Sequence, residues 1–572
     1  MKKLIFTLVI LIGILSACSE KEPPPPPPPP PPPSEEGIVF PEMSEKVIND
    51  LELLGKLWGF LKYHHPKIAK GQYNWDNELF VFLPQYLKVE DNEQRDKLLF
   101  EWIGKYGEIP VCTNCQPTAA DAVLKPDFSW VDNGNMSQQL KAKINEIYSN
   151  RHQGDKYYVS KASGVGNPEF KNENRYSNMP YPDAEYRLLS LYRLWNMVQY
   201  YFPNRHLTDK NWNSVLREYI PIFISASNEL EYELAALRII GEINDTHANL
   251  WGGGNKIADS RGYRYPPFRA EFIEDKLVVT DYYNPEFADA AELKVGDIIT
   301  HISGELVEAK VESLRPYYPA SNDAAMRRDI AVDLMRSNQA SINVSYISEG
   351  QSKQKSVPLY AYSTLNMYGW SKNNENPCYK FLDDNIGYIT LGTIKDADIS
   401  VIKNLFIDTK GIVIDIRNYP ATYVIYSLGS YFVSGSAPFV KISEVNINNP
   451  GEINFTRTNA ISATSPSYRG KLVVLVNEYS QSQAEYTAMA FRAGASTTIV
   501  GSTTAGADGN VSEIYLPGGL MTYISGIGVY YPNGTETQRV GIIPDIWVRP
   551  TIEGIKNGKD EVLEAAIDII KN

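Results

Sequence analysis

The stretch "KLVVLVNEYSQSQAEYTAMAFRAG", Lys471 to Gly494, decides the fold of this chain. Lys471 to Val476 reads as a buried strand, which runs through a short polar turn into a segment with helical spacing from about Gln483. In α/β sheets, reactive groups sit just beyond the carboxyl ends of strands, where such a turn exposes a side chain and the helix start lends backbone N–H groups. Two serines, Ser480 and Ser482, occupy the turn, and Ser482 stands at the helix start. "NIGYITLG", "GIVIDIR" and "TTIVGS" carry the same apolar signature between helical stretches. Continuous Val and Ile runs of this length predict a largely parallel sheet covered on both faces.

A chain of 572 residues exceeds one ordinary core, so three or four domains are expected. The net charge of -13 argues against nucleic acid or an anionic membrane surface as partner, because phosphate binding needs clustered Lys and Arg. The N-terminus reads "MKKLIFTLVILIGILSAC": two lysines, an apolar run too short to span a bilayer, then small residues ending in Cys18. "LSAC" resembles the lipobox of bacterial lipoproteins, which implies cleavage before Cys18 and diacylglycerol on its sulfur. Eleven prolines, Pro23 to Pro33, follow. As polyproline II they would hold a folded body roughly 30 Å off a membrane. The resulting expectation is an extracytoplasmic, lipid-anchored protein of a bacterial membrane, at the outer membrane on its periplasmic or surface side.

Two segments match. In "LLGKLWGFLKYHHP" and "LLSLYRLWNMVQYYFP" a Trp (Trp58, Trp195) stands eight residues before a Pro (Pro66, Pro203), and a second Trp (Trp75, Trp212) follows 17 residues after the first. These spacings predict a duplicated helix-turn-helix unit near 53–85 and 188–222, each first helix stopped by its proline. A polar, irregular insertion is expected around Val131 to Asp183. "VCTNC" (Cys112, Cys115) reads as a local bridge or free thiols. Further on, "AAELKVGDIITHISGELV", Ala290 to Val307, resembles the PDZ signature, whose domains bind an extended peptide at a sheet edge.

The serine turn itself resembles that of the C-terminal processing, or tail-specific, proteases and their tricorn-core-like branch. Asn477 takes the place of the family's Asn, Ser480 that of the small turn residue, Ser482 that of the nucleophile and Glu485 that of the helix glutamate. "GIVIDIRNYPATYVIYSLGSYF" resembles the family's Asp-Leu-Arg-x-Asn-Pro-Gly-Gly strand and loop, with Asp415, Arg417 and Pro420 in place, and "VGIIPDIWV" its closing strand. The resemblance implies a backbone oxyanion hole made of the N–H of Gln483 and an N–H of the "YPAT" loop, at Ala421, where Ala421 and Thr422 replace the family's Gly-Gly.

The base must be found elsewhere. In "VGSTTAGADG" Ala507 occupies the place of the family's catalytic lysine, which excludes a Ser-Lys enzyme, and an ordinary carboxylate at Asp508 is too weak a base for a hydroxyl. Of six histidines, His247 stands in "GEINDTHANLWGGG", which resembles the segment by which the tricorn-like branch brings a histidine to its serine, with Thr246 in the place of a helping hydroxyl. A histidine base needs a partner to fix its tautomer. The resemblance offers Glu536 for that role, with Gln538 as rival.

The expected fold is therefore multi-domain α+β. A signal peptide at 1–17, a lipidated tether at 18–37, a helical region at 38–258 and a PDZ-like β domain at 259–362 precede an α/β catalytic domain of the crotonase-like or ClpP-like kind at 363–556 and a C-terminal helix at 557–572. The expected function is a serine endopeptidase acting on peptides or proteins, without metal or other cofactor. The rival from another class is a catalytically inactive, peptide-binding surface lipoprotein.

Overall fold

The computed structural model describes residues 37–367, 377–382 and 385–572. The expected signal peptide, Cys18 and the polyproline run lie outside them. No helix among the described residues is long and apolar enough to cross a membrane.

The N-terminal part is a helical body. Its first helix, Glu45–His64, is capped by the Ser44 side chain accepting from Val47 N–H, and it ends just before Pro66. Trp58 and Trp75 exchange hydrogen bonds, each indole N–H donating to the other's carbonyl at 3.2 and 2.9 Å. Trp195 and Trp212 do the same, at 2.8 and 3.0 Å. A buried indole N–H needs an acceptor, so each exchange fixes the angle between a helix and its successor. The helix Ala184–Tyr201 lies so close to the first that a Cβ on Gly59 would sit 1.9 Å from Asn196. Asn196 uses that proximity to donate to Gly55 O across the interface at 3.0 Å.

The insertion is more regular than expected. Gln138–Ser149 is a helix, because Leu140, Ile144 and Ile147 recur at helical spacing and are buried. Val159–Lys161 and Pro168–Phe170 then form a small antiparallel ladder. Cys112 and Cys115 are joined in a disulfide.

The middle of the chain is an antiparallel sheet. Its strand order is Gln351–Pro358, Ser341–Ser348, Ile298–Ile302, Lys276–Tyr282 and Phe268–Ile273, with the helix Asp323–Asp333 against the last. The final part is α/β. Ile386–Thr390, Gly411–Asp415, Lys471–Val476, Thr497–Gly501 and Ile546–Trp547 pair in parallel in that order, and Tyr379–Leu382 adds an antiparallel edge. The central strand Gly411–Asp415 is buried at every position, as its unbroken apolar run requires. The helix Gln483–Arg492 follows the strand Lys471–Val476 through the serine turn.

One short strand ties the two ends of the chain. Trp251–Gly252, at the end of the helical body, pairs antiparallel with Leu520–Ser525 of the last domain. The approach is so close that a Cβ on Gly252 would sit 2.2 Å from Gly519 O, and its φ of +81° is one glycine adopts freely.

Candidate active site

Ser482 occupies a strained backbone position, φ 57° and ψ -117°. Such a conformation costs a non-glycine residue on the order of 1–3 kcal/mol and persists only where surroundings enforce it. Here Ser482 N–H donates to Ala507 O at 2.9 Å and to Glu485 Oε2 at 3.1 Å. Glu485, 1% exposed, also accepts from Thr504 Oγ1 at 2.5 Å, Gly506 N–H at 2.8 Å and Ala507 N–H at 3.1 Å. Burial pushes its carboxyl above the usual range, and these four donors offset part of that rise. Ser480 is different: fully buried, it donates to Ile416 O at 2.7 Å and accepts from Asn477 N–H at 3.1 Å, which closes the turn.

The segment Asp245–His247 docks on the other side of this turn. Thr246 Oγ1 donates to Ala505 O at 3.0 Å and accepts from Ser321 N–H at 2.8 Å, while Gln481 Nε2 reaches Thr246 O at 3.5 Å. The neighbours of His247 and Ser482 in sequence are thus in contact. The imidazole Nδ1 lies 2.9 Å from Ser525 Oγ and 3.6 Å from Asp245 Oδ1. A carboxylate that near favours the proton on Nδ1, which leaves Nε2 as the acceptor. Nε2 is buried and has no hydrogen-bond partner among the described residues. Asp245 is fully buried; burial alone would raise it, but bonds from His247 and from Ser525 N–H at 2.6 Å hold it below the usual carboxylate value.

Three expected residues are placed otherwise. Glu536 pairs with His206, Oε1 to Nε2 at 2.8 Å, and not with His247. The chain after Tyr530 turns away through Tyr531–Gly534 instead of continuing as a strand, which carries Glu536 to the helical body. Gln538 donates to Ser321 Oγ at 3.3 Å, so it braces the Thr246 segment and leaves the imidazole to others. Ala421 N–H donates to Leu391 O at 2.9 Å and is therefore not an oxyanion donor. The next residue, Thr422, has an N–H with no acceptor among the described residues, and its carbonyl receives Gln483 Nε2 at 3.1 Å. Gln483 N–H, in the first turn of its helix, likewise lacks an intrahelical acceptor.

Asp415 and Arg417 support the site from below. Arg417 grips Asp415 at 2.7 Å and Asp560, which caps the last helix, at 2.8 Å. The middle part of the chain reaches the turn as well: Arg328 of the helix Asp323–Asp333 donates to Glu478 O at 2.7 Å, and Tyr479 O–H donates to Glu271 of the strand Phe268–Ile273 at 3.0 Å. Among the described residues no group of three or more His, Cys, Asp or Glu is placed to hold a metal ion.

Ser525 and Asp245 were not assigned from the sequence. Asp245 could have been, since its two-residue spacing from His247 allows it to accept that residue's N–H at 3.0 Å. Ser525 gave no signal, because it meets the imidazole across 278 positions of chain.

Residues 385–548 match the model for peptidase family S41. Among solved structures the chain is similar to mature CPAF complexed with lactacystin, with a TM-score of 0.54 at 13% identity over 68% of this chain and 98% of that one. It is also similar to the photosystem II D1 C-terminal processing protease (TM-score 0.38, 16% identity, 66% of this chain, 98% of that one). The tricorn protease gives a TM-score of 0.36 at 16% identity, over 68% of this chain and 37% of its own. No curated protein matches the chain. The likeness to CPAF is one of fold.

Proposed function

We propose that this chain, whose residues 385–548 match the model for peptidase family S41, is a serine peptidase that cleaves peptides or proteins through an acyl-enzyme on Ser482 with His247 as its base. The observation that carries this reading is the bare Nε2 of His247, buried without a partner among the described residues, on a segment docked against the serine turn. Ser482 Oγ attacks the carbonyl carbon of the scissile bond while Nε2 takes its proton, and the imidazolium then returns that proton to the leaving amine. Water, activated by the same nitrogen, releases the acyl group. The developing oxyanion is held by the N–H groups of Gln483 and Thr422. Asp245 and Ser525 orient the imidazole and stabilise its charged form, and Glu485 holds the serine in its strained position.

The remaining assignments belong to the same reading. The matched tryptophan exchanges support an internal duplication of the helical body. The antiparallel sheet with the helix Asp323–Asp333 on its edge strand supports a PDZ-like domain. The apolar N-terminus and Cys18 support a lipid-anchored protein outside the cytoplasm. A fluorophosphonate probe tests the enzyme: it should label the wild type and not Ser482→Ala. An unlabelled wild type would instead favour an inactive peptide-binding lipoprotein.

A further inference from the structure

The loop after Thr497–Gly501, whose Ala507 carbonyl accepts Ser482 N–H, carries a buried acid that the mechanism leaves unused. Asp508 is 4% exposed. Its Oδ1 accepts the N–H of its neighbour Gly509 at 2.6 Å, and its Oδ2 is buried with no hydrogen-bond partner among the described residues. The surroundings treat the carboxyls of Glu485 and Asp508 unequally. Glu485 receives four donors, whereas Asp508 receives one, from the adjacent backbone. Burial, and then the charge of Glu485, push the Asp508 carboxyl well above its ordinary value. An acceptor buried with nothing to accept is expensive, and one beside a nucleophile calls for a ligand that completes it.

The surroundings of Asp508 indicate the ligand's chemistry. Asp508 follows Ala507, the residue whose carbonyl holds Ser482 N–H. Tyr486 stands four positions after Ser482, on the same face of the helix. Its hydroxyl receives Asn459 Nδ2 at 2.8 Å, and its ring meets Phe439 edge-on at 5.2 Å. Phe439 continues to Tyr426 at 6.3 Å, and Tyr426 to Tyr423 at 6.2 Å. Tyr423 and Tyr426 are 52% and 46% exposed, so the row of rings opens to solvent. Burial, then Tyr426 and the Asp508 carboxylate, push the Tyr423 phenol up to about 12. Asp508 acts on Tyr486 in the same sense, after the larger effect of burial. The loop bearing Tyr423 is tied to the nucleophile's helix by the Gln483–Thr422 hydrogen bond.

We propose that this shelf of rings, with Asp508 at its base, is the primary specificity site, and that it takes a lysine or arginine side chain on the acyl side of the scissile bond. The aliphatic stem of such a side chain lies along aromatic rings, whose faces attract its cation, while the head donates to the unpartnered Oδ2. The arriving cation lets Asp508 ionise, and the carboxyl proton passes to solvent. A neutral side chain of the same length leaves Oδ2 without a donor, and a buried polar group left unpaired is the strongest form of discrimination a site can exert.

The inference rests on the peptidase reading, and its test separates the two. Peptides that differ only in the residue before the cleaved bond, lysine, arginine, norleucine or alanine, are assayed for kcat/KM. The wild type should prefer lysine or arginine over norleucine by about 10²-fold. In Asp508→Asn that ratio should collapse towards unity. Equal cleavage after lysine and norleucine by the wild type would overturn the proposal without any variant, so misfolding of Asp508→Asn cannot shelter it. A preference that survives in a folded Asp508→Asn would overturn it too. A wild type that neither cleaves nor takes up a fluorophosphonate would sink both readings together, whereas labelling without a basic preference removes only this one.

Discussion

At the scale of single residues, the site is defined by which polar groups are spent and which are left over. The spent ones fix geometry: Glu485 by four donors, Asp245 by two backbone amides. If Asp245 orients the base, Asp245→Asn should lower kcat by roughly 10²- to 10⁴-fold with little change in KM, read from initial rates. Ser525→Ala, which removes the hydroxyl beside Nδ1 and leaves the carboxylate, should cost less, about tenfold. Asp508 makes a prediction of opposite sign, for stability. An acid whose folded value lies above its unfolded one, near 3.9, binds its proton more tightly when folded, so its presence weakens the fold as pH rises past about 4 until the folded value is reached. Asn mimics the protonated form and does not titrate. Asp508→Asn should therefore gain stability over the wild type, and the gain should grow as pH rises from about 4 to about 6, by up to ~1.4 kcal/mol per pH unit. Urea unfolding at the two values checks it, and a constant difference would contradict it.

At the scale of elements, the serine strand and its helix were legible because local pattern and tertiary role agree. Lys471–Val476 is apolar because the sheet covers it on both faces, and Gln483 opens a helix because the turn before it is short and polar. Of the partners of His247, Asp245 was within reach of its two-residue spacing and Ser525 was not. Glu536, offered by the resemblance, lies past the turn at Tyr531–Gly534 and meets His206 instead. Ala421 failed similarly: a loop can keep its number of amides and still spend one on a neighbouring strand's end. The insertion was misread because a three-residue apolar stripe, Leu140, Ile144 and Ile147, is diluted by polar residues around it. The weight carried by Glu485 gives the prediction at this scale. Glu485→Ala leaves Thr504 Oγ1 and the N–H groups of Gly506 and Ala507 without their acceptor and takes from Ser482 N–H one of its two, and each unsatisfied buried group costs about 1–3 kcal/mol. Stability should fall by several kcal/mol, measured by thermal unfolding, and fluorophosphonate labelling of Ser482 should fall with it.

At the scale of the molecule, the site belongs to three parts of the chain at once. The helical body supplies His247, the middle part of the chain braces the turn through Arg328 and Glu271, and the last domain supplies Ser482. Damage far from the chemistry should therefore reach it. Trp58→Phe removes one arm of a reciprocal exchange and leaves Trp75 O without its indole donor. It should destabilise the helical body by about 1–2 kcal/mol, and activity should be lost at the temperature where that body melts, not where the final domain does; parallel calorimetry and rate measurements separate the two. The strand Trp251–Gly252 is the seam on which this depends, for it pairs the end of the helical body with Leu520–Ser525, which also carries the partner of His247. During synthesis the histidine leaves the ribosome long before the serine, and the strand that receives it comes later still. Until that last strand folds, the growing chain lacks both the pairing for Trp251–Gly252 and the hydroxyl that meets the imidazole of His247.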